Sequence, residues 1–136
     1  MTPDEARQLL SFHSGRNEDF QHPKWKDGFL GSLRPYRGYL NPDNYHEVMD
    51  CLRALAPSLS EGDHVDRHVI NDLIGIIHLG RAWAIHPDGM LQRNNLISED
   101  DTRTIERWLE TISYSFMTIL DSEDPDSWFS DYEGRR

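Results

Sequence analysis

Residues 98–120, SEDDTRTIERWLETISYSFMTIL, carry the clearest helical pattern in the chain and decide its fold class. Apolar side chains recur there every three or four residues, at Ile105, Trp108, Leu109, Ile112, Phe116, Ile119 and Leu120. This spacing places them on one face of an α-helix. Ser98 is a favourable N-cap, and Glu99, Asp100 and Asp101 suit the first turn. The stretch predicts a long amphipathic helix that buries one face.

Two helices nearer the N-terminus each begin with a capping residue followed by proline. Thr2, with Pro3 next and Glu5 after it, has the pattern of a capping box, and Ser14-Gly15 ends this helix. Asn41-Pro42 repeats the start signal. The apolar stripe that follows it ends at Pro57 and contains Tyr45, Val48, Met49, Leu52, Leu55 and Ala56. Both stretches predict helices with one buried face.

A third long helix is predicted from Asp63 to about Ala84. Its apolar side chains cover roughly half of the helical circumference, at Val65, Val69, Ile70, Leu73, Ile74, Ile76, Ile77 and Trp83. A surface helix needs a stripe of only ~100°, so we expect this helix to lie at the centre of the fold. The turn 86–89 ends it, and residues 90–97 form a short apolar connector.

Residues 14–41 differ from the rest, with four of the nine glycines, two prolines and aromatic residues at no regular period. They cannot form one long helix, yet they are too aromatic for a free linker. We expect an ordered loop that is functional or contains an element hidden from the pattern. The prediction is an all-α protein: a four- to five-helix bundle over residues 1–120 with this loop packed on it. Residues 121–136 form an acidic tail, expected to be largely mobile, with Trp128 and Phe129 docking back.

The composition argues against several functional classes. The 136 residues include 24 acidic and 14 basic side chains, a formal net charge of −10. Affinity for nucleic acid or for anionic lipid depends on basic residues, so we expect neither a nucleic-acid nor a membrane partner. No apolar run approaches the ~20 residues of a membrane span, and no signal peptide is visible. Cys51 is the only cysteine, which favours a reducing, cytoplasmic location.

One set of side chains has the spacing of a metal site. His64, His68 and Asp72 recur every four residues, which lets helical side chains share a metal ion. They fall on the polar side of the predicted helix, whereas a metal site in a bundle projects inward from facing helices. We therefore interpret them as a solvated helix face and predict no metal and no cofactor.

The sequence also shows no recognisable combination of a nucleophile and a general base. His78 and His86 lie near Asp88, and a histidine oriented by a carboxylate can act as a general base. No serine or cysteine has a recognisable nucleophile setting, and Cys51 falls at the edge of an apolar stripe, where a thiol is usually inert packing. We predict no catalytic residue.

Residues 28–38, GFLGSLRPYRG, suggest an anion site. Glycines let a backbone approach a ligand, and arginines offer paired donors to phosphate or carboxylate. One interpretation is a small enzyme or ligand-binding domain whose site contains Arg34 and Arg37, completed by Arg93 and His86. The spacing matches neither the P-loop nor the dinucleotide fingerprint. The structural alternative is that the arginines pair with acidic helices while the aromatic residues fill the bundle.

The leading interpretation rests on the acidic surface. A small acidic protein without catalytic residues suits the masking of a basic partner, as an immunity or inhibitor protein masks a toxin, because complementary charge speeds association and rejects other partners. The expected interface residues are Asp43, Glu47, Asp50, Asp63 and Asp66, with Trp25 and Tyr36 as aromatic anchors. The chain is expected to be a monomer or a homodimer that shares its wide apolar faces.

Overall fold

The long helix predicted after Ser98 is present, and the protein is all-α, as predicted. The computed structural model describes residues 1–121 together with Phe129, Tyr132 and Glu133. The described residues contain no strand and six helices: α1 (Pro3–His13), α2 (Pro23–Asp27), α3 (Pro42–Ser60), α4 (Arg67–Ala84), α5 (Met90–Arg93) and α6 (Glu99–Leu120). Within this part of the chain, no helix is both long enough and apolar enough to cross a membrane.

The four long helices enclose one core. α1 packs on α3 and α4, and α6 packs on the same two helices, so the four form a four-sided bundle. The side chains fully buried inside it include Leu10, Leu52, Leu73, Leu109 and Ile112. Burial of each such side chain contributes about 1.5–3 kcal/mol to the stability of the fold.

The predicted caps at the two ends of the bundle are confirmed. The Glu5 amide donates to Thr2 Oγ1 (3.1 Å) and the Thr2 amide donates to Glu5 Oε2 (3.3 Å), which completes the capping box of α1. The Asp101 amide donates to Ser98 Oγ (3.1 Å) at the start of α6. These bonds satisfy amides that have no partner within the helix.

Two helix boundaries differ from the prediction. α4 begins at Arg67 rather than Asp63, because the carboxylate of Asp66 accepts the free amides of the first turn. α3 continues past Pro57 to Ser60. Pro57 lacks only the amide that would donate to the carbonyl of Arg53, and a proline there does not end the helix. Ser60 Oγ donates to the carbonyl of Ala56 (2.8 Å) in the last turn.

The segment 14–41 and the connector 90–97 each contain a short helix that the hydrophobic pattern does not indicate. α2 lies within residues 14–41 and begins after His22, whose Nδ1 accepts from the Lys24 amide (3.1 Å). α5 lies within the connector 90–97. Their five and four residues are too few to show a hydrophobic period, so no pattern revealed them.

The expectation that α4 lies at the centre of the fold is wrong. α4 forms one side of the bundle, as α3 does, and part of its wide apolar sector faces solvent. Ile74 is 52% exposed, and Ile70 and Ile77 are only partly buried. Burial against the described residues therefore does not explain the excess apolar width of α4.

The predicted tail lies mostly outside the described residues, and so does Trp128. Of the tail, Phe129 and Tyr132 are buried. The guanidinium carbon of Arg53 lies 4.3 Å from the centroid of the Phe129 ring, and Tyr132 packs edge-on against Tyr45. Both aromatic rings therefore contact α3.

Candidate functional site

The segment 14–41 is attached to the bundle through the buried imidazole of His13. Its Nδ1 accepts from the Phe29 amide (2.9 Å), so the ring proton is on Nε2, which donates to Glu47 Oε1 (2.8 Å). Lys24 Nζ donates to the same carboxylate oxygen (2.7 Å). These bonds join α1 and α3 to α2 and to the chain that follows it.

Glu47 is consequently an internal residue of this network rather than the free surface acid expected at a partner interface. Its side chain is only 26% exposed. The hydrogen bond from His13, with a further one from Lys24, lowers the pKa of Glu47 to about 2, although burial opposes this. The carboxylate is already paired, so it offers little charge to a basic partner.

The prediction that His64, His68 and Asp72 share a solvated helix face is wrong for Asp72. Instead of lying on a solvated face, its side chain is 1% exposed and accepts from Ser14 Oγ (2.9 Å) and from Arg16 Nε and Nη2 (2.7 and 3.1 Å). The bond to Asp72 raises the pKa of Arg16. His64 precedes the first residue of α4, so the helical spacing with His68 does not apply. Among the described residues, no three His, Cys, Asp or Glu side chains are placed to hold a metal ion.

The candidate general base is not assembled either. His86 is exposed, and its Nδ1 accepts from the backbone amide of Asp88 (3.1 Å), so the Asp88 carboxylate does not orient the ring in the way a catalytic pair requires. Burial raises the pKa of the Cys51 thiol to about 12, with the charges of Glu47 and Asp50 adding to the effect. A thiol of this kind is a poor nucleophile at neutral pH.

The two glycines that begin the 28–38 stretch allow backbone to pack on backbone. A Cβ added to Gly31 would lie 2.4 Å from the carbonyl oxygen of Trp25 and 2.6 Å from that of Lys26. A Cβ added to Gly28 would lie 2.5 Å from the carbonyl oxygen of Lys24. The chain wraps closely round the end of α2, so these glycines serve the fold rather than contact with a phosphate.

Tyr36, expected as a partner anchor, instead attaches the segment to α6. Its hydroxyl donates to the carboxylate of Asp101, and burial together with this bond raises the pKa of Tyr36. Arg37 pairs with Asp27 (3.3 Å) at the protein surface. Both side chains hold the segment 14–41 in place.

A small pocket remains between the segment 14–41 and α4, with a volume of about 280 Å³. Two tryptophans and two basic residues supply its distinctive side chains: Trp25, Trp83, Lys26 and Arg34, with Ser14, Gly15, Leu30, Gly31 and Pro35 completing the wall. The guanidinium carbon of Arg34 lies 5.4 Å from the centroid of the Trp83 ring. This arrangement holds the charge of Arg34 at the pocket by a cation–π contact.

The pocket is electropositive in an otherwise acidic protein. None of the described residues that line it is acidic. Neither Lys26 nor Arg34 has a carboxylate within ion-pair distance in the described part of the chain, whereas Lys24 and Arg37 both do. Two unpaired cations beside one small pocket favour an anionic ligand.

Trp25 adds an unsatisfied hydrogen-bond donor. Its Nε1 is buried and has no acceptor among the described residues, while its ring packs edge-on against Phe20 (5.1 Å between centroids). A buried donor without an acceptor costs about 1–3 kcal/mol. Such a group calls for a specific explanation, of which a ligand is one.

The structure does not bring the other predicted anion-binding residues to this pocket. Arg37 is paired with Asp27, and Arg93 is exposed at the end of α5. His86 lines a different groove, between α4 and α6. Sequence reasoning missed Lys26 and Trp83: Lys26 is one of only two lysines, and Trp83 was assigned to the apolar sector of its helix.

The predicted partner-binding acids are dispersed rather than gathered at one site. Asp43 and Asp63 are exposed and Asp50 is half-buried. Asp66 caps α4 and pairs with Arg7 (3.3 Å). With Glu47 also paired, three of the five carboxylates have no ion-pair partner among the described residues.

Comparisons with protein-family models, curated proteins and solved structures found no match to this chain.

Proposed function

We propose that this protein acts by binding rather than by catalysis, and that its ligand is a small anion carrying a flat ring, held in the Trp25–Trp83 pocket. The observation that carries the proposal is the pair of cations Lys26 and Arg34, which have no carboxylate partner among the described residues and lie beside two tryptophans. A carboxylate or phosphate would accept from the cations, and an aromatic ring would pack on the indoles.

The size and lining of the pocket support a small ligand. Its volume of about 280 Å³ lies just below the range of about 300–1,000 Å³ that is typical of small-molecule sites. Such sites are mostly apolar with a few polar groups that orient the ligand.

Thermal melting with simple probes tests the proposal. Benzoate and phenyl phosphate are the anionic probes, and benzamide is the neutral control with the same ring. A ligand that binds only the folded state, present at ten times its Kd, adds about 1.4 kcal/mol of stability. For a domain of this size, we expect the anions to raise the melting temperature by about 3–6 °C and benzamide to leave it unchanged.

Two arginines provide matched variants for the same experiment. Arg34→Gln should abolish the shift, because Arg34 lines the pocket, whereas Arg37→Gln should keep it, because Arg37 is paired with Asp27 outside the pocket. If the two variants respond equally, or if neither anion stabilises the native protein, the proposed ligand class is wrong.

A second candidate function is the masking of a basic partner, supported by the exposed acids at one end of the bundle. Residues 61–68 are all exposed and include Glu61, Asp63 and Asp66. The ion pair of Arg7 with both Asp4 and Asp66 brings the start of α1 to the same place. The excess of carboxylates there would attract a positively charged protein surface.

Affinity capture of proteins from a cell lysate at low salt distinguishes the masking of a basic partner from the binding of a small anion. The native protein should retain one basic protein that rising salt releases, because such attraction is screened by salt. Glu61→Lys combined with Asp63→Lys should lose it, and Asp88→Lys combined with Glu99→Lys, an equal change of charge elsewhere, should keep it. Equal capture by the two double variants would contradict the assignment.

A further inference from the structure

The rim of α4 beside α6 carries an apolar stripe that the bundle does not bury. Ile70, Ile74, Ile77 and Arg81 follow one another at three- and four-residue intervals, so they share one face of the helix. Ile74 is 52% exposed, and its two isoleucine neighbours are partly buried. This stripe accounts for the excess apolar width of α4.

The facing rim of α6 has the same division into an apolar and a charged half. Glu106, Glu110, Ser113, Met117 and Leu120 recur at the same intervals. The two glutamates line the groove between α4 and α6 together with Arg81 and His78. Met117 is 59% exposed and Leu120 is 40% exposed.

The register between the two rims follows from two contacts. Gln92 donates both to the carbonyl of Ala84 and to Thr102 Oγ1, which brings the end of α4 to the beginning of α6 and makes the helices antiparallel. Arg81 Nη2 lies 3.4 Å from Glu110 Oε2, so these residues are level. Two helical turns away, Ile74 is therefore level with Met117.

We propose that this face binds a second copy of the chain, related by a two-fold axis that runs parallel to α4 and α6. Such an axis places α4 of one copy over α6 of the other without a shift along the helices. Arg81 then lies opposite Glu110 of the second copy, and Ile74 lies opposite Met117 of the second copy. Arg81 and Glu110 pair within one chain but remain 46% and 76% exposed, so in the dimer the two pairs lie side by side with opposite charges facing each other across the axis.

The proposed dimer face is separate from the Trp25–Trp83 pocket. None of the residues that line the pocket belongs to the two rims. Exposed methionine and isoleucine rimmed by charged residues are typical of surfaces that bind protein. Formation of the proposed dimer therefore does not depend on anion binding in the pocket.

Sedimentation velocity over a range of about 5–500 µM tests the proposal, since weak homodimers dissociate within this range. We expect the native protein to form dimers as its concentration rises. Arg81→Glu and Glu110→Arg, each alone, place like charges opposite each other and should raise the dimer Kd by about tenfold or more. The double variant Arg81→Glu/Glu110→Arg restores opposite charges and should restore the dimer.

Arg37→Glu is the matched control, because it makes the same change of charge on the segment 14–41 and should leave the dimer unchanged. Circular dichroism melts identify any variant that fails to fold. A native protein that stays monomeric over the whole range overturns the proposal, and so does a double variant that dimerises no better than the single ones.

Cross-linking tests the axis independently. Chains carrying Ile74→Cys are mixed with chains carrying Met117→Cys, each with its buried native thiol retained. Disulfides between the two kinds of chain should form faster than those between like chains, because Ile74 lies opposite Met117 of the second copy. Preferential coupling of like chains would contradict the proposed axis.

Discussion

At the scale of single residues, the buried imidazole of His13 shows how one side chain joins distant parts of the chain. Its two ring nitrogens bind the Phe29 amide and the Glu47 carboxylate, so a residue of α1 organises both α3 and the segment 14–41. Both partners lie far along the chain, 16 and 34 residues from His13, so no local pattern in the sequence indicates them.

The lowered pKa of Glu47 predicts a pH-dependent contribution to stability. The pKa is about 2 in the folded protein against an ordinary 4.5, so the contribution is complete above pH 4.5 and is lost as the pH falls toward 2. Glu47→Gln should lower the free energy of unfolding by about 1–3 kcal/mol at pH 7. The difference from the native protein should shrink at pH 3.

Urea unfolding at both pH values measures this effect. Glu18→Gln, at an exposed position, is the control and should change the free energy of unfolding by less than about 0.5 kcal/mol at pH 7. A Glu47→Gln penalty of the same size at pH 3 and pH 7 would show that the charge of Glu47 is not the cause.

The ion pair of Arg16 with Asp72 predicts non-additive mutations. Arg16→Gln leaves the buried Asp72 carboxylate with Ser14 as its remaining side-chain donor and should destabilise the fold by about 1–3 kcal/mol. Because the Arg16 side chain is 37% exposed, water replaces part of the lost interaction. Adding Asp72→Asn removes the buried charge, so the double variant should unfold at a higher urea concentration than Arg16→Gln alone. Strictly additive penalties would contradict this account.

At the scale of helices and connections, two glycines predict opposite effects of the same substitution. Gly31→Ala brings a Cβ within 2.4 Å of a backbone carbonyl oxygen of α2, which cannot move away as a side chain can. We expect it to destabilise the protein by about 2 kcal/mol or more. Gly75→Ala, inside α4 with open space around it, should stabilise by about 0.5–1 kcal/mol.

Thermal melts of the two alanine variants check this pair. Gly75→Ala also reports on the helix alone, because no neighbouring atom lies within 4 Å of the added Cβ. If Gly31→Ala melts at the native temperature, the close packing of the 28–31 backbone on α2 is wrong.

Helix starts were predictable at this scale because their signals are local. The Thr2, Asn41 and Ser98 caps each bind an amide within three residues along the chain. α2 and α5 were not predictable, because helices of five and four residues are too short to show a period. The boundary at Asp66 was missed because both Asp63 and Asp66 are residues that favour the N-cap.

At the scale of the whole molecule, the far end of the chain packs back on the bundle. Phe129 is 6% exposed and lies against Arg53 of α3, whereas Phe20 is 66% exposed. Phe129→Ala should therefore cost about 2–4 kcal/mol of stability. Phe20→Ala should cost less than about 1 kcal/mol, chiefly its edge contact with Trp25.

Urea unfolding of the two phenylalanine variants measures the difference directly. A similarly small decrease in the free energy of unfolding in both variants would mean that residue 129 does not contribute to the core. A large loss in Phe129→Ala alone would support closure of the chain end on α3.

The amino-acid sequence by itself determined the all-α class, the four long helices and the caps at Thr2, Asn41 and Ser98, because these depend on interactions within a few residues of chain. Only the tertiary structure decided which charges are free. Glu47 and Asp72 are paired with residues 34 and 56 positions away. Lys26 and Arg34, which have no ion-pair partner in the part of the chain that the structure describes, meet Trp83 at one pocket. Whether a charge is paired depends on which side chains the packing of helices brings within about 4 Å, and no local pattern carries that information.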